Sequence, residues 1–338
     1  MSVRRIAKEA GVSPATVSRV LNSSNTVDPA VRELVLKIAN QQRYVASRGT
    51  NRPTNLAVAY LGDVNAGGLL SSPFDIALMR GMAKMMGSKR FILSVINVLE
   101  SRHPGESYTQ MFHRCGIQGA ALRAMSGYRE DCIEIAKEGF PSIVVAERFD
   151  EPGVSWIDCN SKIASMQGVE KLIELGHRRI AFSCFDKLDQ DHADRHEGFV
   201  EAHEKNGLET DPALLIRAPA TRESGARLLK RLVALHPKPT AVFITDPLVA
   251  AGFLAEAHRS GIKVPEQISV LGVDDSQVRY DTFPKLTAIC QDVEQMGATA
   301  AETLSELVEP ETQGKRQVEV SAWIEMHESI SAPPQKQT

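Results

Sequence analysis

No apolar run in the 338-residue chain reaches the roughly 20 residues that a membrane-spanning helix needs, and the first residues lack the apolar core of a secretory signal. A membrane partner is therefore not expected, and the expected location is cytoplasmic. The common enzyme signatures are missing as well: there is no glycine-rich phosphate loop, no Gly-x-Ser-x-Gly elbow and no His-Glu-x-x-His pair. Neither catalysis nor a cofactor is expected. Cysteine is scarce: Cys115, Cys132, Cys159, Cys184 and Cys290 have no paired spacing, which suits reduced thiols and excludes a disulfide framework. The nearest metal-like cluster is DQDHADRHE at 189–197, where His192 and His196 stand four apart beside acids. It reads as a solvated loop running into an acidic helix start, and no metal is expected.

What is present is an ordinary globular composition, 43% hydrophobic and 24% charged, in a chain long enough for two or three domains with sizeable cores. Charge is unevenly spread. Residues 1–55 hold nine Lys or Arg against three acids, a net of +6; with the whole chain at −3, the remainder carries −9. A basic head on an acidic body fits a duplex-binding module joined to a domain that stays off the DNA backbone.

The head itself reads as two helices around a turn. Ile6, Ala7 and Ala10 share one face of the first helix, and Gly11 supplies the positive φ that a tight turn needs. Ser13 and Pro14 restart the chain as cap and first residue of a second helix. There Val17, Val20 and Leu21 face inward, leaving Ser13, Ala15, Thr16, Ser18, Arg19 and Asn22 as candidates for phosphates and base edges. Asp28 and Pro29 open a third helix with Val31, Leu34, Val35 and Ile38 on one face.

The stretch AKEAGVSPATVSRVLN at 7–22 resembles, nearly position for position, the signature of the LacI/GalR family of bacterial transcription regulators, whose headpiece usually ends near a tyrosine such as Tyr44. The resemblance implies a helix-turn-helix headpiece over residues 1–45 and a double-stranded DNA operator as partner. It also implies a homodimer. Two departures follow. Pro14 and Ala15 stand where the family supplies base contacts, which leaves Arg19 as the main reader, toward a guanine. The linker, residues 46–55, is short and lacks the leucine with which the family wedges open a minor groove. Gly49 and Pro53 oppose a continuous helix there, while Arg48 remains available to an extended arm in the minor groove.

From residue 56 onward short apolar runs alternate with amphipathic stretches. Strands are expected at 56–61, 91–96, 119–124, 142–146, 179–183, 240–244 and 268–273, and helices at 75–87, 161–175, 193–206, 222–235 and 246–260. That order predicts an α/β fold of parallel sheets in two lobes, the second starting near residue 160, with a ligand between them at the carboxyl ends of the strands. The motifs LIELGHRRIAF, RHEGF, VPEQISVLGVDD and PKLTAI look like the family's sensor domain, which shares its fold with periplasmic sugar-binding proteins. Residues 56–338 are thus expected to bind an effector and to dimerise.

Carried over on those motifs, Phe74 is expected to stack on the effector, and Glu147, Arg148, Arg195, Asp274 and Gln291 to hydrogen-bond it. Asp75 replaces a family aromatic ring and points to a more polar ligand, a sugar or sugar derivative being the expected class. The reading is a sequence-specific transcriptional regulator, a repressor, controlled by that effector. A sugar sensor without DNA readout is the alternative.

Overall fold

Three short helices form the N-terminal unit: α1 (Val3–Ala10), α2 (Pro14–Leu21) and α3 (Pro29–Gln41). The computed structural model describes residues 3–21, 27–41, 53–62, 72–86, 91–124, 127–185, 189–309 and 314–335. Gly11 takes φ 65° at the turn, and the Val12 amide returns to the Ala7 carbonyl at 3.0 Å. The Thr16 amide donates to Ser13 Oγ at 3.0 Å, and the Ala30 and Val31 amides donate to Asp28 Oδ1 at 2.9 and 3.2 Å, so both sequence-read caps form. Ile6, Ala7, Ala10, Val17, Val20, Val35, Ile38 and Ala39 make the small core. Leu34 departs from expectation and stays 45% exposed. The inward stripe of α3 runs 31, 35, 38, 39, and residue 34 falls off it.

The body follows as β1 (Thr54–Leu61), α4 (Pro73–Met86), β2 (Phe91–Asn97), α5 (Val98–Ser101), α6 (Tyr108–Arg114), β3 (Gly119–Ala124), α7 (Arg129–Lys137), β4 (Ser142–Val145) and β5 (Trp156–Asn160). It continues with α8 (Lys162–Glu174), β6 (Ile180–Phe185), α9 (Gln190–Lys205), β7 (Leu215–Ala218), α10 (Arg222–Ala234), β8 (Ala241–Ile244), α11 (Pro247–Arg259), β9 (Ser269–Asp274), α12 (Val278–Asp281) and β10 (Thr287–Cys290). The chain closes with α13 (Val293–Leu307), β11 (Gln317–Ser321) and β12 (Trp323–Glu325). The expected strands and helices all form within a few residues. The short strands β5, β7, β10, β11 and β12 escaped the sequence reading because apolar residues in them are few or interrupted by Asp158, Arg217 and Glu319.

Among the described residues two six-stranded sheets result, ordered β11-β5-β4-β3-β1-β2 and β12-β10-β9-β8-β6-β7, with only β12 antiparallel to its neighbour. The lobes are not contiguous in sequence. The chain crosses after β5, returns after β10 so that Val293, Met296, Ala300 and Leu304 of α13 enter the first lobe's core, and crosses again between β11 and β12. The sequence division near residue 160 marks only the first crossing. Helices α4 and α13 pack backbone to backbone: a Cβ on Gly297 would lie 2.1 Å from the Leu78 carbonyl oxygen, and one on Gly81 1.8 Å from that of Glu294.

Candidate functional site

The outer face of α2 presents Ser13, Ala15, Ser18 and Arg19 to solvent, while Val17 and Val20 anchor the other side. Thr16 is half-buried, its hydroxyl 2.9 Å from that of Ser13. A short helix with hydroxyls and one guanidinium on its free face is suited to a major groove. Asn22 and Arg48 lie outside the described residues, as does most of the linker.

A second site is built where the carboxyl ends of the two sheets meet. Ala146, directly after β4, takes φ 62°, a conformation that costs an L-residue about 1–2 kcal/mol and turns Glu147 and Arg148 toward the other lobe. Arg148 bridges the lobes: its Nη2 donates to Asp194 Oδ1 on α9 at 2.5 Å, while its Nε lies 3.4 Å from Asp158 Oδ2 on β5. Glu147 pairs with Arg129 at 3.6 Å and accepts from the Gln190 amide at the start of α9. Burial pushes its carboxyl up, and Asp189 nearby pushes it further.

On α9, Asp191, Asp194 and Arg195 fall at i, i+3 and i+4, which places all three on one buried face. Asp191 Oδ2 lies 3.3 Å from Arg195 Nη2, and Arg195 Nη1 donates to the Thr245 carbonyl at 3.3 Å. Asp275 accepts from Gln291 Nε2 at 2.5 Å and feels the Arg195 charge; burial, its main influence, raises its carboxyl to about 6. Burial likewise lifts Asp158 to about 7, with Asp191 and Asp194 adding to the rise and Arg148 opposing it. Several polar atoms here have no hydrogen-bond partner: Asp191 Oδ1, Asp194 Oδ2, both Asp158 oxygens, Arg195 Nε and Gln291 Oε1. Buried groups left so are completed by a ligand or by water.

The structure therefore brings together Glu147, Arg148, Arg195 and Gln291, and engages three other expected residues, Asp274, Phe74 and Asp75, in contacts within the protein. Asp274 does not reach out to an effector. Its Oδ1 accepts from the Ser276 and Val278 amides and its Oδ2 from the Arg279 amide and, at 2.7 Å, Arg279 Nη1. It fixes the loop after β9, and the neighbouring Asp275 faces the site. Phe74 enters the first lobe's core, and the Arg123 guanidinium covers its ring at 4.4 Å, so the stacking surface is taken. Arg123 Nε also donates to Asp75 Oδ1 at 2.9 Å, which neutralises the carboxylate that the sequence left exposed to ligand. The sequence reading missed Arg123, Asp158, Asp191, Asp194 and Asp275. The spacing of Asp191, Asp194 and Arg195 carried a signal for three of the group's side chains. His192 and His196 do not converge: His192 Nδ1 bonds Asp189 at 2.6 Å, while His196 lies edge-on to Phe182.

Residues 2–47 match the model of the bacterial regulatory proteins of the lacI family, and residues 169–328 match the periplasmic binding protein-like domain. The HTH-type transcriptional regulator CelR of Thermobifida fusca is 29% identical over 320 residues, which cover 92% of this chain and 93% of that protein. Catabolite control protein A of Priestia megaterium is 25% identical over 97% of this chain and 99% of its own length. A solved transcriptional regulator CelR–cellobiose complex matches with a TM-score of 0.66 at 27% identity, covering 97% of this chain and 99% of that one.

The chain is a DNA-binding transcriptional regulator of the LacI family. In LacI-family terms α1–α3 are the headpiece, and the two sheets are the periplasmic-binding-protein-like body, mostly parallel as the sequence predicted.

Proposed function

We propose that this LacI-family protein is a cytoplasmic repressor that binds a near-palindromic operator as a homodimer and is switched by a sugar or sugar derivative held between its lobes. The observation that carries the effector reading is the set of buried, unpartnered polar atoms drawn from both lobes, Asp158 on one side and Asp191, Arg195 and Gln291 on the other. Adjacent hydroxyls would complete them: the guanidinium of Arg195 donates, the carboxylates of Asp191 and Asp275 accept, and Gln291 does either. The likeness to a regulator solved with cellobiose supports the same class. Such a molecule acts by binding, without catalysis.

The regulatory link is geometric. Glu147 and Arg148 of the first lobe already touch α9 of the second, so a ligand in the same place biases the lobe angle. That angle sets the spacing of paired headpieces. Dimerisation is supported by unpaired apolar side chains on the edge strand β2, where Ile92 is 48% and Val95 47% exposed, with Leu99 beside them and Tyr280 and Phe283 exposed on the other lobe. Two-fold pairing implies two half-sites in the DNA. On each half-site α2 enters the major groove and Arg19 reads a guanine, with Arg48 in the adjoining minor groove as an extended arm.

The test is selection of bound duplexes from a random pool by the full chain at two salt concentrations. Enrichment of a palindrome with two half-sites is expected at both. Binding that is salt-sensitive but blind to sequence would refute the operator reading and leave a sensor without DNA readout.

A further inference from the structure

The site between the lobes is more acidic than a neutral polyol requires. Asp158, Asp189, Asp191, Asp194, Asp246 and Asp275 act on one another and on the same cations, while the guanidiniums not spent on Asp75 or Glu147 are those of Arg148 and Arg195, with His192 beside Asp189.

The unpartnered atoms have the same bias. Asp191 Oδ1, Asp194 Oδ2, both oxygens of Asp158 and Gln291 Oε1 all seek donors, and all belong to residues no more than 7% exposed. Against these, Arg195 Nε has no acceptor and the His192 Nε2 ring nitrogen has no partner. The complementary molecule has several N–H donors with positive charge, and an acceptor nearby. A bare metal ion does not fit, because among the described residues no three His, Cys, Asp or Glu converge to hold one. A neutral hydroxyl supplies one donor and no charge. An ammonium group supplies three donors and a full charge.

We propose that the effector carries a protonated amine, as an amino sugar does, with the ammonium received by Asp191 Oδ1 and Asp158 and a hydroxyl placed on Arg195 Nε. This deepens the effector reading above and rests on it. Burial first, and neighbouring carboxylates second, raise the proton affinities of Asp158 and Asp275, so the site is one in which added positive charge is favoured.

The experiment is thermal stabilisation of the full chain by glucosamine, galactosamine and mannosamine against glucose, galactose and mannose, each titrated to about 10 mM, a ceiling that captures even millimolar binders. At least one aminated sugar is expected to raise Tm, with affinity about tenfold or more above that of its neutral counterpart. The isosteric Asp191→Asn, which keeps size and removes charge, is expected to erase that preference; Asp158→Asn serves as the second variant. Neutral sugars binding as well as aminated ones would overturn the proposal while leaving the effector reading intact. No stabilisation by any aminated sugar, or a preference that survives both variants, overturns it too. The operator selection decides the regulator reading separately.

Discussion

Arg148→Ala gives the sharpest test of the contact between lobes. The guanidinium sits between two buried carboxylates, Asp158 at 3.4 Å and Asp194 at 2.5 Å, with the more exposed Glu319 at 3.8 Å. Breaking a buried pair costs roughly 3–5 kcal/mol because a charge is stranded; Arg148 keeps 24% of its side chain in solvent, which lowers the expectation to about 2–3 kcal/mol. That corresponds to a fall in Tm of roughly 5–10 °C for a body of this size.

The cost depends on pH in a stated direction. Asp158 folds with its carboxyl raised to about 7 by burial and by Asp191 and Asp194, with Arg148 and the Cys159 amide opposing. A raised carboxyl contributes stability that is full below its unfolded value and is lost as pH rises through about 7. Without Arg148 the carboxyl rises further, and the loss on the alkaline side steepens. Scanning calorimetry of wild type and variant at pH 6 and pH 8 should therefore show a clearly larger deficit at pH 8, and adding Asp158→Asn should recover part of it there. An equal deficit at both pH values, unrelieved by the second substitution, would refute the argument.

Three further outcomes are expected. Arg19→Ala should weaken operator binding by roughly 1–3 kcal/mol and relax preference at one base pair, read by repeating the duplex selection; an unchanged preference removes Arg19 as the reader. Gly297→Ala should lower Tm by an amount matching about 1–3 kcal/mol, because its Cβ would meet the Leu78 carbonyl oxygen at 2.1 Å; an unaltered melt would mean that α4 and α13 separate at no cost. Asp274→Ala should destabilise the fold by about 1–3 kcal/mol, because the Ser276, Val278 and Arg279 amides and Arg279 Nη1 lose their acceptor while Glu325 still holds the guanidinium, whereas Asp275→Asn should leave Tm nearly unchanged and weaken effector binding, as the ligand titration will show; the reverse pattern would return the ligand role to Asp274.

How much of this was legible depended on whether the signal was local. The headpiece was, because a cap, a turn glycine and a helix face are all decided within four residues, and Ser13, Gly11, Asp28 and Val17 behave as read. Leu34 failed for the same reason that makes helix faces readable: one position off phase is enough to reach solvent. The effector residues were legible as a group through their motifs but not in their roles. Whether Asp274 or Asp275 faces the ligand turns on which carboxylate the loop amides and Arg279 claim, and Arg279 finds its other partner in Glu325, far along the chain. The contacts of Phe74 and Asp75 were not legible because Arg123, which engages both, lies 48 residues from Asp75.

The sequence by itself determined the headpiece, the charge contrast between head and body, and the alternation that makes two parallel sheets, since each follows from periodicity, caps and local composition. Only the tertiary structure decided how the chain divides, sending α13 and β11 back to the first lobe because their apolar faces complete its core and sheet. It also decided the character of the binding site. Two lobes bring Asp158, Asp191, Asp194 and Asp275 around Arg148 and Arg195, and burial turns a scatter of ordinary acids into a cluster short of positive charge.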